Sequence, residues 1–167
     1  LARAPLLEDF LGMRPGNGLV GKLAKIENFI QREPKDGAPG SQRTEVYLGC
    51  DDKNLYVIFV AFDSEPGNIR AHMTRRENIS DDDQVEVLLD TFHDRRRAYS
   101  FATNALGVQR DELYTEGQGS DSSFDTLWYS RGKITGQGYV VWMSIPFRSL
   151  RFSSSGETWG IVFRRSI

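Results

Sequence analysis

The stretch from Gln84 to Phe101 most limits the folds open to this chain, because it reads as two β-strands joined by a charged hairpin. Val85, Val87 and Tyr99 are β-branched or aromatic residues of the kind that strands favour. Residues 93–97 between the two halves are charged, and charged side chains are costly to bury. The segment therefore predicts an antiparallel hairpin with a solvated tip.

A second hairpin is predicted from residues 44–49 and 55–62, whose connection at residues 51–54 has the Asp/Asn composition of a tight turn. In residues 55–62 both alternating sets of side chains are apolar, which is typical of a central strand covered on both faces. In residues 84–90 one of the two sets includes acidic side chains, so that strand should present a more polar face to its surroundings.

The rest of the chain follows the same pattern of short strands separated by turn residues. Further strands are predicted at residues 26–31, 98–103, 108–114, 127–130, 133–135, 139–145 and 159–165, with loops at 33–40 and 116–125. Residues 1–25 form an irregular N-terminal arm, with one helical turn at 6–11, that we expect to cover an edge. About nine or ten strands with little helix predict an all-β antiparallel sandwich.

Length and composition restrict the function as well as the fold. With 167 residues the chain is long enough for one domain, spanning residues 1–167. Its formal net charge of −2 provides no broad cationic field, which argues against nucleic acid as a partner. The single cysteine excludes an internal disulfide and a four-cysteine metal site. The two histidines, His72 and His93, have no nearby nucleophile or zinc-like spacing, so no catalytic residue is assigned.

Several segments together resemble the family 9 carbohydrate-binding modules, in the variant found at the N-terminus of large bacterial proteins whose remainder looks like an outer-membrane β-barrel. These segments are RTEV before NLYVIFVAFD, then MTRRENISDDDQVEVLLDTFHDRRRAYSFATNALGVQRD, SSFDTLWYS, GYVVWMSIPFRSLRF and TWGIVFRR. The resemblance implies a jelly-roll or immunoglobulin-like sandwich, non-catalytic saccharide binding linked to carbohydrate catabolism, and calcium in some members. It also implies a periplasmic or outer-membrane location, with the chain's own C-terminal barrel as a partner.

A saccharide site needs an exposed aromatic ring for the apolar face of a sugar and polar side chains for its hydroxyl groups. If the apolar set of residues 139–147 faces the core, Trp142 points outward. Trp128 and Tyr129 are adjacent and face opposite ways, so one of them is accessible. Tyr114 and Asp125 border the 116–125 loop, which has the composition of a binding rim. These five residues are the predicted ligand-binding residues.

Three further hypotheses stay open at this point. The acidic run Asp81, Asp82 and Asp83 before a strand is the favoured calcium site, because calcium prefers several oxygen ligands from loops. A second reading of the whole domain is a protein-interaction or plug-like structural role in the parent protein. A third is a haem-binding sensor sandwich, for which the available axial ligands are Met13, Met73, Met143, His72 and His93.

Overall fold

The computed structural model describes residues 1–153 and 158–167. Within that part of the chain, ten strands form two antiparallel sheets, and the only helical segments are three short 3-10 turns. The strands are β1 (Ala24–Ile26), β2 (Thr44–Cys50), β3 (Asn54–Phe62), β4 (Gln84–Asp90), β5 (Arg97–Asn104), β6 (Gln109–Thr115), β7 (Gly119–Asp121), β8 (Tyr129–Thr135), β9 (Gly138–Pro146) and β10 (Gly160–Ser166). The predicted all-β antiparallel sandwich is confirmed.

Each sheet has five strands. Sheet 1 has the order β1-β2-β3-β9-β8, and sheet 2 has the order β10-β4-β5-β6-β7. The hydrophobic core lies between them and is built from inward side chains of both, including Phe59 and Met143 from sheet 1 and Val87 and Phe101 from sheet 2. The two strongest predicted hairpins, β2–β3 and β4–β5, are present with continuous registers.

Sheet 1 is covered on both faces, as the doubly apolar pattern of β3 predicts. Its outer face carries a second hydrophobic cluster, in which Leu7, Phe10 and Met13 of the N-terminal arm pack on strand residues such as Ile58 and Val60. The arm was expected to cover an edge, and Ala24 and Lys25 at its end do pair with β2 as part of the edge strand β1, but the buried apolar side chains of the arm lie across the face of the sheet. The 3-10 turn at Leu7–Phe10 agrees with the predicted helical turn at residues 6–11.

Three strand boundaries differ from the sequence predictions. Strand β1 ends at Ile26, and Ile30 makes only an isolated bridge to Pro39, so the predicted strand over residues 26–31 is displaced. Strand β7 lies inside the predicted 116–125 loop because Tyr114 and its neighbours in β6 pair with it. The strands predicted at 127–130 and 133–135 are one continuous strand, β8, which begins at Tyr129, and Trp128 before it is buried in the core.

A buried arginine joins the two sheets near one end of the sandwich. Arg165 of β10 donates from Nη1 to the carbonyl oxygens of Arg43 (3.3 Å) and Phe62 (2.7 Å) and to Thr44 Oγ1 (3.1 Å). Its Nη2 lies 3.3 Å from Asp63 Oδ2, and the two side chains are only 4% and 8% exposed. The guanidinium carbon also lies 5.2 Å from the centre of the Tyr139 ring. These contacts satisfy a charge pair that would otherwise be costly to bury.

The two sheets also meet closely where the β5–β6 turn approaches β8. Gly107 has φ +86°, and a Cβ built on Gly132 would lie 2.6 Å from the Gly107 nitrogen, which is closer than any side chain tolerates. Ser130 Oγ donates to the Gly107 carbonyl oxygen at 2.7 Å. Glycine is therefore required at this approach. In the described residues there is no helix long and apolar enough to cross a membrane.

Candidate functional site

A cavity of about 550 Å³ opens at the end of sheet 2 where two hairpin turns meet. It is lined by Asp94, Arg96, Arg97, Thr115 and Glu116. The β5–β6 register sets Arg97 directly opposite Thr115, and the backbone N–H of Glu116 donates to the Arg96 carbonyl oxygen at 2.7 Å. The two turns are therefore held together by the strand pairing that precedes them, and the cavity has the size of a small-molecule site.

The hairpin between β4 and β5 is shaped by two carboxylates that accept backbone hydrogen bonds. Asp94 accepts from the N–H groups of Arg96 at 2.8 Å and Arg97 at 3.1 Å, and Asp90 accepts from the N–H of Arg95 at 2.7 Å. The hydrogen bond from Arg96 is the main reason that the pKa of Asp94 is lowered. Asp94 is therefore ionised at neutral pH, and the cavity offers groups of both charge signs.

Two partly exposed aromatic residues lie next to residues that line this cavity. Phe92 is 41% exposed, and the guanidinium carbon of Arg97 lies 5.3 Å from the centre of its ring. Tyr114 is 40% exposed and pairs with Ala98, one position along from the Arg97–Thr115 pair. Exposed rings beside charged donors and acceptors are the combination that a sugar requires, with its apolar C–H face and its rim of hydroxyl groups.

A further aromatic group lies close by in the segment between β9 and β10. Thr91 Oγ1 donates to the Arg151 carbonyl oxygen at 2.5 Å, so the residue before Phe92 contacts the residue before Phe152. Phe152 is 48% exposed, and its ring centre lies 5.6 Å from that of Trp159, which in turn packs against the core. This end of the sandwich therefore exposes more aromatic surface than Phe92 alone.

The structure does not bring Trp142, Trp128 and Tyr129 together. Trp128 is buried in the core, with its ring 5.1 Å from that of Phe101. Trp142 lies on the outer face of sheet 1, as predicted, but the N-terminal arm covers it and its indole N–H donates to the Pro5 carbonyl oxygen at 2.8 Å. Tyr129 is 49% exposed at the start of β8. Of the three, only Tyr129 presents a large open surface, and it lies on the sheet opposite the cavity.

The other two predicted ligand residues lie in sheet 2 and its rim. Tyr114 precedes Thr115, which lines the cavity described above, and its role in ligand binding stays a prediction. Asp125 is 77% exposed, and its carboxylate lies 3.1 Å from Arg76 Nη2, which also contacts the fully buried Asp111. Asp111 in turn accepts from the Thr126 N–H at 2.9 Å. Asp125 thus takes part in an ion-pair network that holds the 116–125 loop against β6, and its role in ligand binding stays a prediction.

The three aspartates proposed for calcium have different environments. Asp82 accepts from His72 N–H at 3.1 Å and from Asn104 Nδ2 at 2.8 Å, and it lies 2.6 Å from His72 Nδ1. Burial acts to raise the pKa of Asp82, but these hydrogen bonds outweigh it and hold the pKa below its usual value. Asp83 pairs with Arg70 at 3.4 Å, and burial raises its pKa, while Asp81 is exposed.

Within residues 1–153 and 158–167, no three His, Cys, Asp or Glu side chains are arranged as metal ligands. Calcium at Asp81, Asp82 and Asp83 therefore stays a prediction. For the haem hypothesis, Met13 and Met143 lie in separate hydrophobic clusters on opposite faces of sheet 1, and Met73 is exposed.

Sequence reasoning missed most of the residues that line the cavity. Arg96 and Arg97 were interpreted only as a solvated hairpin tip, and Phe92 was not considered at all. The sequence does contain an indication of this site: Phe92 lies directly between the end of a predicted strand and a charged turn, where an aromatic side chain is not expected to be buried. The 116–125 loop was predicted to form a binding rim, and this role stays a prediction, but its first residue, Glu116, lines the cavity.

Comparisons with known proteins agree with this architecture. No well-characterised protein sequence matches the chain significantly. Among solved structures, a Bacteroides uniformis protein named for a suspected carbohydrate-binding role superposes with a TM-score of 0.64 at 14% identity, covering 88% of this chain and 73% of the other. A family 9 carbohydrate-binding module from Caldicellulosiruptor kristjanssonii, solved in complex with cellotriose, superposes with a TM-score of 0.54 at 17% identity.

That second superposition covers 85% of this chain and 64% of the module, so the chain spans just under two thirds of its length. At these identities the two structures establish the fold. A family model described as "Carbohydrate family 9 binding domain-like" matches residues 24–165, which leaves out only residues 1–23 of the N-terminal arm and the last two residues. The chain therefore belongs to the carbohydrate family 9 binding domain-like family.

Proposed function

We propose that this domain is a non-catalytic module that binds a saccharide in the cavity between the β4–β5 hairpin and the β6–β7 turn. One observation carries the proposal: a cavity of about 550 Å³ lined by charged and hydroxyl side chains lies near two partly exposed aromatic rings, Phe92, which contacts the lining residue Arg97, and Tyr114, which precedes the lining residue Thr115. The family match and the saccharide bound to the Caldicellulosiruptor module support the class of ligand.

In this proposal the apolar face of a pyranose stacks on Phe92 or Tyr114, and its hydroxyl groups bond to the polar lining. Arg96 and Arg97 supply donors, and Glu116 supplies an acceptor. A shallow site of this kind should have a Kd between roughly 1 mM and 1 μM, about −4 to −8 kcal/mol. Binding of one or two sugar units needs no conformational change, because backbone hydrogen bonds already fix the hairpin.

The test is isothermal titration calorimetry with a set of neutral oligosaccharides that includes cellotriose. We expect Phe92→Ala to weaken binding about tenfold, since loss of a stacking ring costs about 1.5 kcal/mol. Tyr129→Ala is the matched control, because Tyr129 is equally exposed but lies on the other sheet. Equal losses in both variants, or unchanged affinity in Phe92→Ala, would place the ligand elsewhere.

We further propose, on the family resemblance, that the module is part of a larger bacterial cell-envelope protein that takes part in polysaccharide use. The proposal is supported only by the type of domain. Fractionation of the producing cells, with antibody detection of the parent protein, measures its location directly. Recovery of the parent protein in the cytoplasmic fraction would contradict it.

A further inference from the structure

The free edge of β10 is the second feature of this molecule that is suited to binding. In sheet 2, β10 pairs only with β4, over Gly160–Ser166, and no strand in the described residues pairs with its other side. Seven residues in a strand extend about 23 Å at roughly 3.3 Å each. A strand edge of this length has unpaired N–H and C=O groups that can pair with another chain.

A cleft of about 580 Å³ runs along this edge. Five consecutive residues, from Phe163 to Ile167, line it together with Phe29 and Ile30 of the β1–β2 connection. Phe163–Ser166 are the last four residues of β10, and successive side chains in a strand point to opposite faces, so a cleft that contacts all four runs along the main-chain edge. The cleft also reaches Glu86 of β4. The cleft is therefore a slot between the edge of β10 and a loop.

The loop that forms the opposite wall is held in place. Gln42 exchanges hydrogen bonds with Ser64, at 2.9 Å to Oγ and 3.1 Å from the backbone N–H. Gln31 donates from its backbone to Ala38 O at 2.7 Å and from its side chain to Pro39 O at 2.8 Å. A preorganised wall lowers the entropic cost of filling the slot.

Charged side chains on an edge strand commonly prevent it from pairing with another chain, but the two arginines of β10 are engaged in ion pairs. Arg165 is buried in its network with Asp63, and Arg164 is paired with Glu86 at 3.3 Å. The slot also presents an apolar surface, because Ile30 is 72% exposed and the neighbouring Phe29 is partly buried. Arg32 and Glu33 also line the slot, so its loop wall is partly charged. An unpaired strand edge beside the apolar side chains of Phe29 and Ile30 favours an extended peptide over a polyol.

We propose that this slot binds an extended segment of another polypeptide chain, which adds to sheet 2 as a strand beside β10. Its main chain pairs with the edge of β10. Its alternate side chains are apolar where they face Phe29 and Ile30, and polar where they face Arg164 and Glu86. The slot lies beside the start of β4, whereas the saccharide cavity lies beyond its end, so the two sites are separate.

The experiment is selection of a displayed library of ten-residue peptides on the immobilised domain, followed by fluorescence anisotropy with the enriched peptides. We expect enrichment of apolar residues at every second position. Single N-methyl groups at alternate amides should abolish binding, and those at the intervening amides should leave it unchanged, because only one set of N–H groups faces β10. Ile30→Asp should weaken binding at least tenfold.

Val20→Asp is the matched control, since Val20 is a similarly exposed aliphatic residue on the N-terminal arm, and it should bind the peptides normally. Thermal melting establishes that both variants are folded. The proposal is overturned if the selected peptides have no alternating apolar pattern, or if the effect of N-methyl groups on affinity does not alternate along the peptide. It is also overturned if Ile30→Asp binds the peptides as well as the control does. If cellotriose displaces the peptides, the slot binds saccharide instead. If sedimentation shows dimers of the domain that Ile30→Asp dissociates, the slot binds a second copy of this domain instead.

Discussion

Replacement of Arg165 by methionine tests the claim that a buried charge network joins the two sheets. The variant keeps the bulk and apolar stem of the side chain but removes all four hydrogen-bonding or ionic contacts that its guanidinium makes. Asp63, with 8% of its side chain exposed, would be left without its partner. Loss of one partner from a buried ion pair costs about 3–5 kcal/mol.

For a chain of this length each kcal/mol lowers Tm by about 2–4 °C, so we expect a fall of roughly 6–20 °C. Arg164→Met is the control, because Arg164 is the next residue, is half exposed, and makes one ion pair with Glu86 worth about 0–1 kcal/mol. Urea unfolding followed by tryptophan fluorescence gives both free energies of unfolding, and calorimetry gives both Tm values.

The reasoning would be refuted if the two arginine variants had the same stability within about 1 kcal/mol. A second variant checks the cause of the loss. Asp63→Asn in the Arg165→Met background removes the stranded charge, so it should recover part of the lost free energy, whereas Asp63→Asn alone should be destabilising. Such non-additivity is the expected behaviour of residues in one network.

Three further predictions concern other contacts. Trp142→Phe removes the hydrogen bond to the Pro5 carbonyl oxygen, so it should lower the free energy of unfolding by about 1 kcal/mol. It should also speed proteolytic cleavage of the N-terminal arm, and an unchanged cleavage rate would contradict the role of Trp142 in holding the arm. Because the pKa of Asp82 is lowered in the folded state, its contribution is complete above its unfolded pKa near 3.9 and is lost as pH falls through the folded value. Asp82→Asn should therefore lose stability at pH 7 but approach the parent at low pH, as measured by urea unfolding across pH. Gly132→Ala should unfold at a clearly lower temperature, while Gly136→Ala, with open space around it, should not.

Much of this fold follows from alternation along the strands. The doubly apolar pattern of residues 55–62 correctly predicted a central strand, and the turn residues between β2 and β3 correctly predicted their hairpin. That sheet 1 is covered on both faces was predicted, but not that the N-terminal arm covers its outer face, because the arm has no regular period and its apolar residues do not indicate which surface they bury. Trp142 was correctly predicted to point away from the core, but the N-terminal arm that covers it, including its hydrogen-bond partner Pro5, is distant in sequence.

The candidate site was harder to predict for a different physical reason. It depends on two turns that are separated along the chain and are brought side by side by the β5–β6 register, which sets Arg97 opposite Thr115. That register depends on the turn after Asn104, where Asn104 Oδ1 accepts from the N–H groups of Leu106 and Val108 at 3.0 Å. Composition alone indicates a loop there but does not specify the pairing offset.

The N-terminal arm has a consequence for how the chain reaches its native state. During synthesis Leu7 and Phe10 leave the ribosome before any of the strands on which they rest, and the partner of Pro5 follows 137 residues later. Tyr47 of β2 and Ile58 of β3 can cover these side chains in part, but their packing surface is complete only when Val140 of β9 has joined the sheet. The arm is thus made before the strands of this domain but completes its packing after them, and its apolar side chains are open to chaperones and to aggregation in that interval.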